Sequence, residues 1–330
     1  RTGGGSGSAG TAGALAPAAI SGHHVNSEPI QVSHRCGSVA VIGRPNVGKS
    51  TLLNQIIGQK IAIVSDTPQT TRNRILGILT LPDAQILFLD TPGIHKPQHK
   101  LGEYMVNSAR SALREVDLIL FVSDVTESVG PGERFIIDML KDEKTPVVLV
   151  LNKVDLVAKD KLLPIISQYS AFRDFAAIVP VSALAGSNVD RLLSVIKDLL
   201  PEGPQYYAED EVTDQPERVI AAEFIREKIF RLTREEIPHS TAVEVEEMKT
   251  RPNGDVFLRA TIYVERESQK GIIIGAKGAM LKEIGQQARL DMENIFGSRF
   301  FVDLWVKVKN DWRNKEGSLR MFGYDKNDNR

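Results

Sequence analysis

An α/β fold, doubly wound around a mostly parallel sheet and followed by a smaller α+β domain, is predicted by three features of this 330-residue sequence. Five short apolar runs, SVAVIG (38–43), QILFLD (85–90), LILFVSD (118–124), PVVLVLNKVD (146–155) and AAIVPVSA (176–183), are separated by helix-like stretches. Their Val, Ile and Leu residues are continuous rather than alternating with polar ones, the mark of strands covered on both faces, and helices between such strands make the sheet parallel. Polar motifs begin or end at the carboxyl ends of these runs, where an open α/β sheet binds its ligand. Beyond residue 215 the pattern changes, and 330 residues leave room for two domains.

Taken in order, residues 1–37 hold 8 Gly, 6 Ala and 5 Ser, with only Arg1, Glu28 and Arg35 charged. So little apolar surface does not offset the entropy of ordering, and an extension without a packed core is expected. It is Ser-rich and poor in acids, as transit peptides are, but two arginines fall short of their amphipathic pattern. Residues 38–200 form the first domain, and the Pro, Gly and acidic residues of 201–215 form a linker. In residues 216–330, Ala221, Ile225, Ile229 and Leu232 recur at helical spacing. TAVEVEEMK (241–249) and VFLRATIYVER (256–266) flank RPNGD as a hairpin, and a helix over about 279–296 precedes a last strand, FFVDLWVKVK (300–309).

Composition excludes several classes. With 42% hydrophobic and 25% charged residues the chain is neither wholly disordered nor collagen-like, and Cys36 alone forms no intrachain disulfide. No run approaches the roughly 18 apolar residues of a membrane-spanning helix. Lys plus Arg number 41 against 42 Asp plus Glu, so no global positive field recruits nucleic acid, and such a function has to be local.

Gly43-Arg44-Pro45-Asn46-Val47-Gly48-Lys49-Ser50 matches the phosphate-loop pattern GxxxxGK[ST], between a strand and the helix that Thr51 continues. The glycines let consecutive N–H groups and the helix N-terminus face phosphates, Lys49 neutralises β/γ oxygens, and the Ser50 hydroxyl is placed for Mg²⁺. Asn152-Lys153-Val154-Asp155 follows a strand, and a carboxylate at its fourth position can accept from both the ring N1–H and the exocyclic amine of guanine, a donor pair adenine lacks. Ser182-Ala183-Leu184 follows the next strand and completes the base site. In Asp90-Thr91-Pro92-Gly93-Ile94, Asp90 is placed to hold a water of the Mg²⁺ shell and the Gly93 N–H to reach the γ-phosphate. Thr70 or Thr71, in the polar segment SDTPQTTRNR (65–74), supplies a second hydroxyl to Mg²⁺, with Thr71 favoured; this segment is the first switch.

These motifs resemble those of the translation-factor-related GTPases, and GRPNVGKS with QTTRNR resembles the TrmE–Era–EngA group in particular. The resemblance implies GTP and GDP as ligands with Mg²⁺, and Lys49, Asn46, Thr71 and Gly93 as the catalytic set. Ile94 stands where Ras-like enzymes carry a water-orienting glutamine, which implies slow intrinsic hydrolysis. In TrmE-like members the asparagine at the position of Asn46 helps to hold K⁺, so K⁺ is a candidate cofactor; a turn role for Asn46 is the alternative.

Gly275-Ala276-Lys277-Gly278 is a GxxG loop between an apolar stretch and a helix. In KH domains such a loop clamps about four single-stranded nucleotides. The order helix, two strands, GxxG, helix, strand is that of the type II KH fold. Residues 213–265 carry 8 basic and 11 acidic side chains, whereas 266–330 carry 13 and 9, so the basic surplus lies with the loop. Arg266, Lys270, Lys277 and Lys282 surround it, and Lys307 and Lys309 share one face of the last strand. Trp305 and Trp312 are candidates for stacking bases, although a tryptophan within FFVDLWVKV reads as core. From 38 to 324 the chain resembles the Era GTPases throughout, including LPEGPQYY, VERESQKGIIIGAKG and LWVKVK. That resemblance implies binding to the 3′ end of small-subunit ribosomal RNA, a role in small-subunit assembly, and a cytoplasmic location with peripheral contact at the inner membrane face. The alternative is an RNA-binding protein in which GTP is a structural ligand with negligible turnover.

Overall fold

The apolar runs become the strands of one sheet: β1 (Arg35–Ile42), β2 (Ile75–Leu81), β3 (Ala84–Asp90), β4 (Leu118–Asp124), β5 (Val147–Asn152) and β6 (Ala177–Pro180). This computed structural model describes residues 34–64, 71–95, 97 and 99–324. The strand order is β2-β3-β1-β4-β5-β6, parallel throughout except for the antiparallel β2–β3 pair. Between the strands run α1 (Lys49–Ile57), α2 (Lys100–Ala112), α3 (Pro131–Met139), α4 (Leu162–Ser170) and, after β6, α5 (Val189–Leu199). The continuous apolar runs have a simple cause. Val39, Val41, Leu120, Val122, Val148 and Val150 pack on one face with Leu52 and Leu53 of α1 and Leu192 of α5. Ala40, Ile42, Ile119, Phe121, Leu149 and Leu151 pack on the other with Ala109 of α2, Ile136 of α3 and Tyr169 of α4. Both strand faces are dry, so alternation is lost.

Three details differ from expectation. The first strand begins at Arg35, three residues before Ser38, within the stretch that composition assigns to the extension; residues 1–33 lie outside the described residues. Strand β2 is additional to the five expected runs, and the Pro82-Asp83 turn closes it onto β3 as a hairpin. The linker is laid against the first sheet: the Ile78 N–H donates to the Val212 carbonyl at 2.8 Å, and Val212 packs on the core. The fully buried Gln85 anchors it. Its Oε1 accepts from the Tyr206 and Tyr207 amides at 2.8 and 3.0 Å, and its Nε2 donates to the Tyr207 carbonyl at 2.9 Å.

The second sheet comprises β7 (Ala242–Thr250), β8 (Val256–Val264) and β9 (Phe300–Val308), with β7–β8 antiparallel and β8–β9 parallel. Its helices are α6 (Glu217–Leu232), the short α7 (Ile237–Ser240), α8 (Glu267–Ile274), α9 (Ala279–Phe296) and α10 (Glu316–Met321). Phe224, Ile225 and Ile229 of α6 and Ile284, Ala288 and Met292 of α9 pack on Leu258, Ala260 and Ile262. The even-numbered residues of β8 and β9 face this core. Strand alternation therefore turns Trp305 outward, where it is 56% exposed, contrary to its reading as core; Trp312, past the strand, is fully buried.

Both sheets belong to one compact unit. Leu101 and Met105 of α2 share a buried cluster with Ala242, Tyr263, Trp312, Leu319 and Tyr324, and Ile63 joins the core of the second sheet. Lys60, past the end of α1, reaches Glu227 of α6 at 2.8 Å and Asp291 of α9 at 2.6 Å.

The Gln85 anchor makes a prediction. Gln85→Leu leaves the Tyr206 and Tyr207 amides without partners, each costing about 1–3 kcal/mol. Urea unfolding should show a loss of roughly 2–4 kcal/mol, and limited proteolysis should cut first within 202–215; an unchanged midpoint would remove the anchoring role.

Candidate functional site

Strand β1 stops at Ile42 and α1 starts at Lys49, so the intervening loop stands at the carboxyl edge of the sheet. At Gly48 the backbone has φ +100°, and a Cβ there would lie 2.1 Å from Asn152 Nδ2, so no side chain fits. Asn152 is the reason for that closeness. Its Nδ2 donates to the Val47 carbonyl at 2.8 Å and its Oδ1 accepts from the Ala183 amide at 2.9 Å. One buried carboxamide thus bolts the phosphate loop to the loop after β6. The Ile94 amide donates to the Gly43 carbonyl at 3.0 Å and fastens the loop after β3 to the same frame, with the Ile94 side chain only 1% exposed.

Two opposite charges are sealed in this frame. Lys49 Nζ donates to the Gly43 and Arg44 carbonyls at 3.2 and 2.9 Å. Burial lowers its pKa to about 8 despite Asp90 and Glu133 nearby. Asp90 is fully buried, and burial pushes its carboxyl up against the opposing pull of Lys49 and of its hydroxyl donors. One oxygen, Oδ2, accepts from Ser50 Oγ at 2.8 Å and Thr71 Oγ1 at 3.4 Å; the two hydroxyls are 3.1 Å apart. The other, Oδ1, is buried with no hydrogen-bond partner. Two hydroxyls beside an unsatisfied carboxylate form a hard oxygen donor set that fits Mg²⁺ with phosphate oxygens and water completing the shell. Of the two candidate threonines, the structure brings Thr71 to this point; Thr70 lies outside the described residues.

A cavity of about 610 Å³ opens over these groups, within the size range of small-molecule sites. Pro45, Asn46, Lys49, Ser50, Thr51 and Gly93 line its phosphate end, and Asn152, Lys153, Asp155, Ala183 and Leu184 its far end. Arg44 turns outward, paired with Glu127 and lying 3.8 Å from Glu133, so that position contributes backbone rather than charge. Val47 is buried beneath the loop, Thr91 Oγ1 donates to the Val41 carbonyl at 2.8 Å, and Ser182 is buried. Pro92 is buried in the same loop, and Val154 packs against the core.

Asp124 and Leu156, which motif reading passed over, also line the cavity. Asp124 ends the run LILFVSD at the ligand edge of the sheet, which is the signal that marks it. Burial pushes the Asp124 carboxyl up, but the Lys153 ammonium and two donors from Thr126 outweigh it and hold it below the usual carboxylate range. Asp124 thereby fixes the direction of Lys153.

On the second sheet, a groove of about 450 Å³ runs beside the GxxG loop. Gly275 has φ +71°, and a Cβ there would lie 2.7 Å from Met280 Cβ. Lys277 is itself left-handed, at φ +52°, and Gly278 caps the N-terminus of α9. Gly278, Leu281, Lys282, Gly285, Arg289 and Leu304 are among the groove walls. Arg289 was not anticipated; it lies seven residues past Lys282 on α9, two turns along the same face. Arg266 is the N-cap residue of α8, and Lys270 lies 3.9 Å from Glu267. The structure does not bring Lys307 and Lys309 to the groove. Lys307 pairs with Glu246 at 3.2 Å on the face of β9 opposite α6 and α9, and Lys309, past the end of β9, lies over the Phe322 ring at 6.0 Å.

The Lys49 pKa sets a pH test. A phosphate ligand binds the protonated amine, so affinity is constant while the lysine is charged and falls once pH exceeds its ligand-free pKa. GDP affinity should be roughly tenfold weaker at pH 9 than at pH 7; a flat profile would show that the lysine is not the charge the phosphates meet.

Residues 38–153 match the family described as 50S ribosome-binding GTPase, and residues 236–313 match the KH domain family. The fold is similar to a crystal structure of Era in complex with MgGDPNP and nucleotides 1506–1542 of 16S ribosomal RNA, at 44% identity and a TM-score of 0.86, covering 88% of this chain and 99% of that one. A variant of Aquifex aeolicus Era bound to GDP·AlF₄⁻ is similar at 44% identity and a TM-score of 0.85, with the same coverage.

Proposed function

The chain belongs to the Era family of GTPases, and from that premise we propose that it binds and hydrolyses GTP in the cavity at 43–50 while its KH groove holds the 3′ end of small-subunit ribosomal RNA during assembly of that subunit. The observation that carries the reading is the joining of phosphate loop, Asn152 and Ala183 in one hydrogen-bonded frame, with a metal-fitting oxygen set at one end and Asp155 at the other. Residues 35–200 form the GTPase domain, 201–215 the linker and 216–324 the RNA-binding domain. A small-subunit target is preferred over the 50S label because the Era–16S RNA complex is similar over 88% of the chain, whereas that label covers residues 38–153 and omits the KH groove.

Bound Mg²⁺, held by Ser50, Thr71 and the region of Asp90, would neutralise phosphate charge. Lys49 exchanges two loop carbonyls for β/γ oxygens, a stronger charge-assisted bond. Gly93, at the phosphate end of the cavity, would offer its amide to the γ-phosphate, and Asp155, at the far end, would accept from the guanine edge. With Ile94 buried, no side chain from that position orients the attacking water, which supports slow intrinsic turnover. Asn46 lines the phosphate end and would be the residue to hold K⁺, while its left-handed backbone, φ +64°, equally fits a turn role. Lys277, Lys282 and Arg289 meet the RNA backbone at the GxxG loop. Among the described residues no helix is long and apolar enough to cross a membrane. With ribosomal RNA as target goes a cytoplasmic location, with peripheral contact at the inner membrane face.

Single-turnover hydrolysis of GTP, in K⁺ and in Na⁺ and with and without the 3′-terminal RNA, tests the enzyme reading. Measurable turnover supports it, and none under any condition would leave GTP as a structural ligand. Asp155→Asn removes a charged acceptor of two bonds worth about 1.5–3 kcal/mol each, so GDP affinity should fall at least 100-fold, read by calorimetry. Gly278→Asp should abolish RNA retention on a filter while basal hydrolysis stays within about twofold; unchanged RNA affinity at two salt concentrations would remove the GxxG assignment.

A further inference from the structure

Thr71 stands at the metal-fitting oxygens, and the next residue leaves the nucleotide domain altogether. Arg72 is 3% exposed, and its guanidinium is held by the other domain. Its Nη1 donates to the Thr241 carbonyl at 2.6 Å and to the Tyr324 hydroxyl at 3.4 Å, and its Nη2 to the Pro238 and His239 carbonyls at 3.3 and 3.0 Å. The Trp312 ring lies 5.6 Å from its Cζ. These acceptors are neutral, and they belong to the α7 turn, its exit and the C-terminal segment. The planar fork of arginine suits this set of diverging carbonyls, which a lysine could not bridge.

The same turn is tied to the RNA groove. Ser240, between the residues whose carbonyls hold Arg72, accepts at its hydroxyl from Gln269 Nε2 at 2.9 Å, and its carbonyl accepts from Trp312 Nε1 at 2.8 Å. Gln269 Oε1 in turn accepts from the Glu265 and Arg266 amides at 2.9 and 3.1 Å, closing the N-terminus of α8. That helix ends at Gly275, the first residue of the GxxG loop. A path of hydrogen bonds, covalent neighbours and one short helix therefore runs from Asp90 and Ser50 through Thr71, Arg72, the 238–241 backbone, Ser240 and Gln269 to the RNA-gripping loop.

Resting on the GTP and RNA reading above, we propose that Arg72 is the coupling residue between the two sites: occupation of the metal site by Mg²⁺ and a γ-phosphate holds Thr71 inward, which holds Arg72 in its carbonyl cage and keeps the α8 cap closed beneath the GxxG loop. Consecutive Cα atoms are only 3.8 Å apart, so a Thr71 that moves outward drags Arg72 with it. Lys60 makes a second bridge to the KH domain, but it leaves from the end of α1 rather than from the switch, so it holds the domains without sensing the nucleotide. Linkage makes the effect reciprocal: the triphosphate tightens RNA binding by the factor by which RNA tightens triphosphate binding.

The test measures affinity of the full chain for the 3′-terminal RNA segment with Mg·GDPNP and with Mg·GDP. For the wild type the ratio should be about 5-fold or more in favour of GDPNP, the lower end of ordinary allosteric coupling. In Arg72→Ala it should fall below about 2-fold, with GDP affinity in the absence of RNA little changed. Ser240→Ala, which removes one hydroxyl and leaves the nucleotide site intact, should reduce the ratio in the same direction, and it decides the matter if Arg72→Ala does not fold. A merely structural role would lower both RNA affinities equally and leave the ratio. A wild-type ratio near one, or a wild-type-like ratio in the folded variants, overturns the coupling alone. A wild type that binds neither RNA nor guanine nucleotide overturns the functional reading as well.

Discussion

Asp90 is the point from which the rest of the site is best understood. Its carboxylate is fully buried, one oxygen satisfied by Ser50 and Thr71 and the other by nothing in the protein, with Lys49 close enough to counter the desolvation of the charge. A lone buried carboxylate raises its pKa or finds a cation. The surrounding fold prevents collapse onto it. Asp90 ends β3 in the middle of a sheet covered on both sides, and the loops on either side are pinned by Asn152 and the Ile94 amide. The site is thus a rigid frame around an opposed Lys49–Asp90 pair with one unsatisfied carboxylate oxygen, which a metal with phosphates would satisfy.

The second half of the molecule is fastened to that frame in two ways that differ in kind. Lys60, Glu227 and Asp291 form an ion network beside the apolar junction, with Glu227 wholly buried and Lys228 and Arg231 also paired to it. Such networks are costly to break by removing one member. Arg72 instead connects through a backbone segment that changes its surroundings whenever Thr71 does. One attachment keeps the KH domain in place, and the other reports on the cation.

Much of this was legible in the sequence because the chemistry of nucleotide binding demands particular residues at particular spacings. GRPNVGKS, DTPG, NKVD and SAL name the cavity walls, and the apolar runs name five of the six strands. What escaped has physical reasons. β2 is an edge strand interrupted by Gly77, with a pattern too short to separate strand from loop until the Pro82-Asp83 turn is seen to close it. Lys307, Lys309 and Trp305 were assigned by proximity in sequence to the basic surplus or to the core. Strand alternation sends Trp305 and Lys307 to the face opposite α6 and α9, and Lys309, just past the end of β9, reaches Phe322 beside α10. Arg72 reads as an ordinary polar residue of the switch, since its partners are carbonyls 166 to 169 positions away, and carbonyls leave no mark on a sequence.

The central claim is that Mg²⁺ together with a γ-phosphate is felt inside the KH domain through one arginine. Hydrogen exchange of the backbone amides in α7, at 241–243 and in the first turn of α8, compared between the Mg·GDP and Mg·GDPNP forms without RNA, tests it most directly. The account predicts slower exchange in these segments with GDPNP, and loss of that difference in Arg72→Ala. Identical exchange in the two wild-type forms would contradict it.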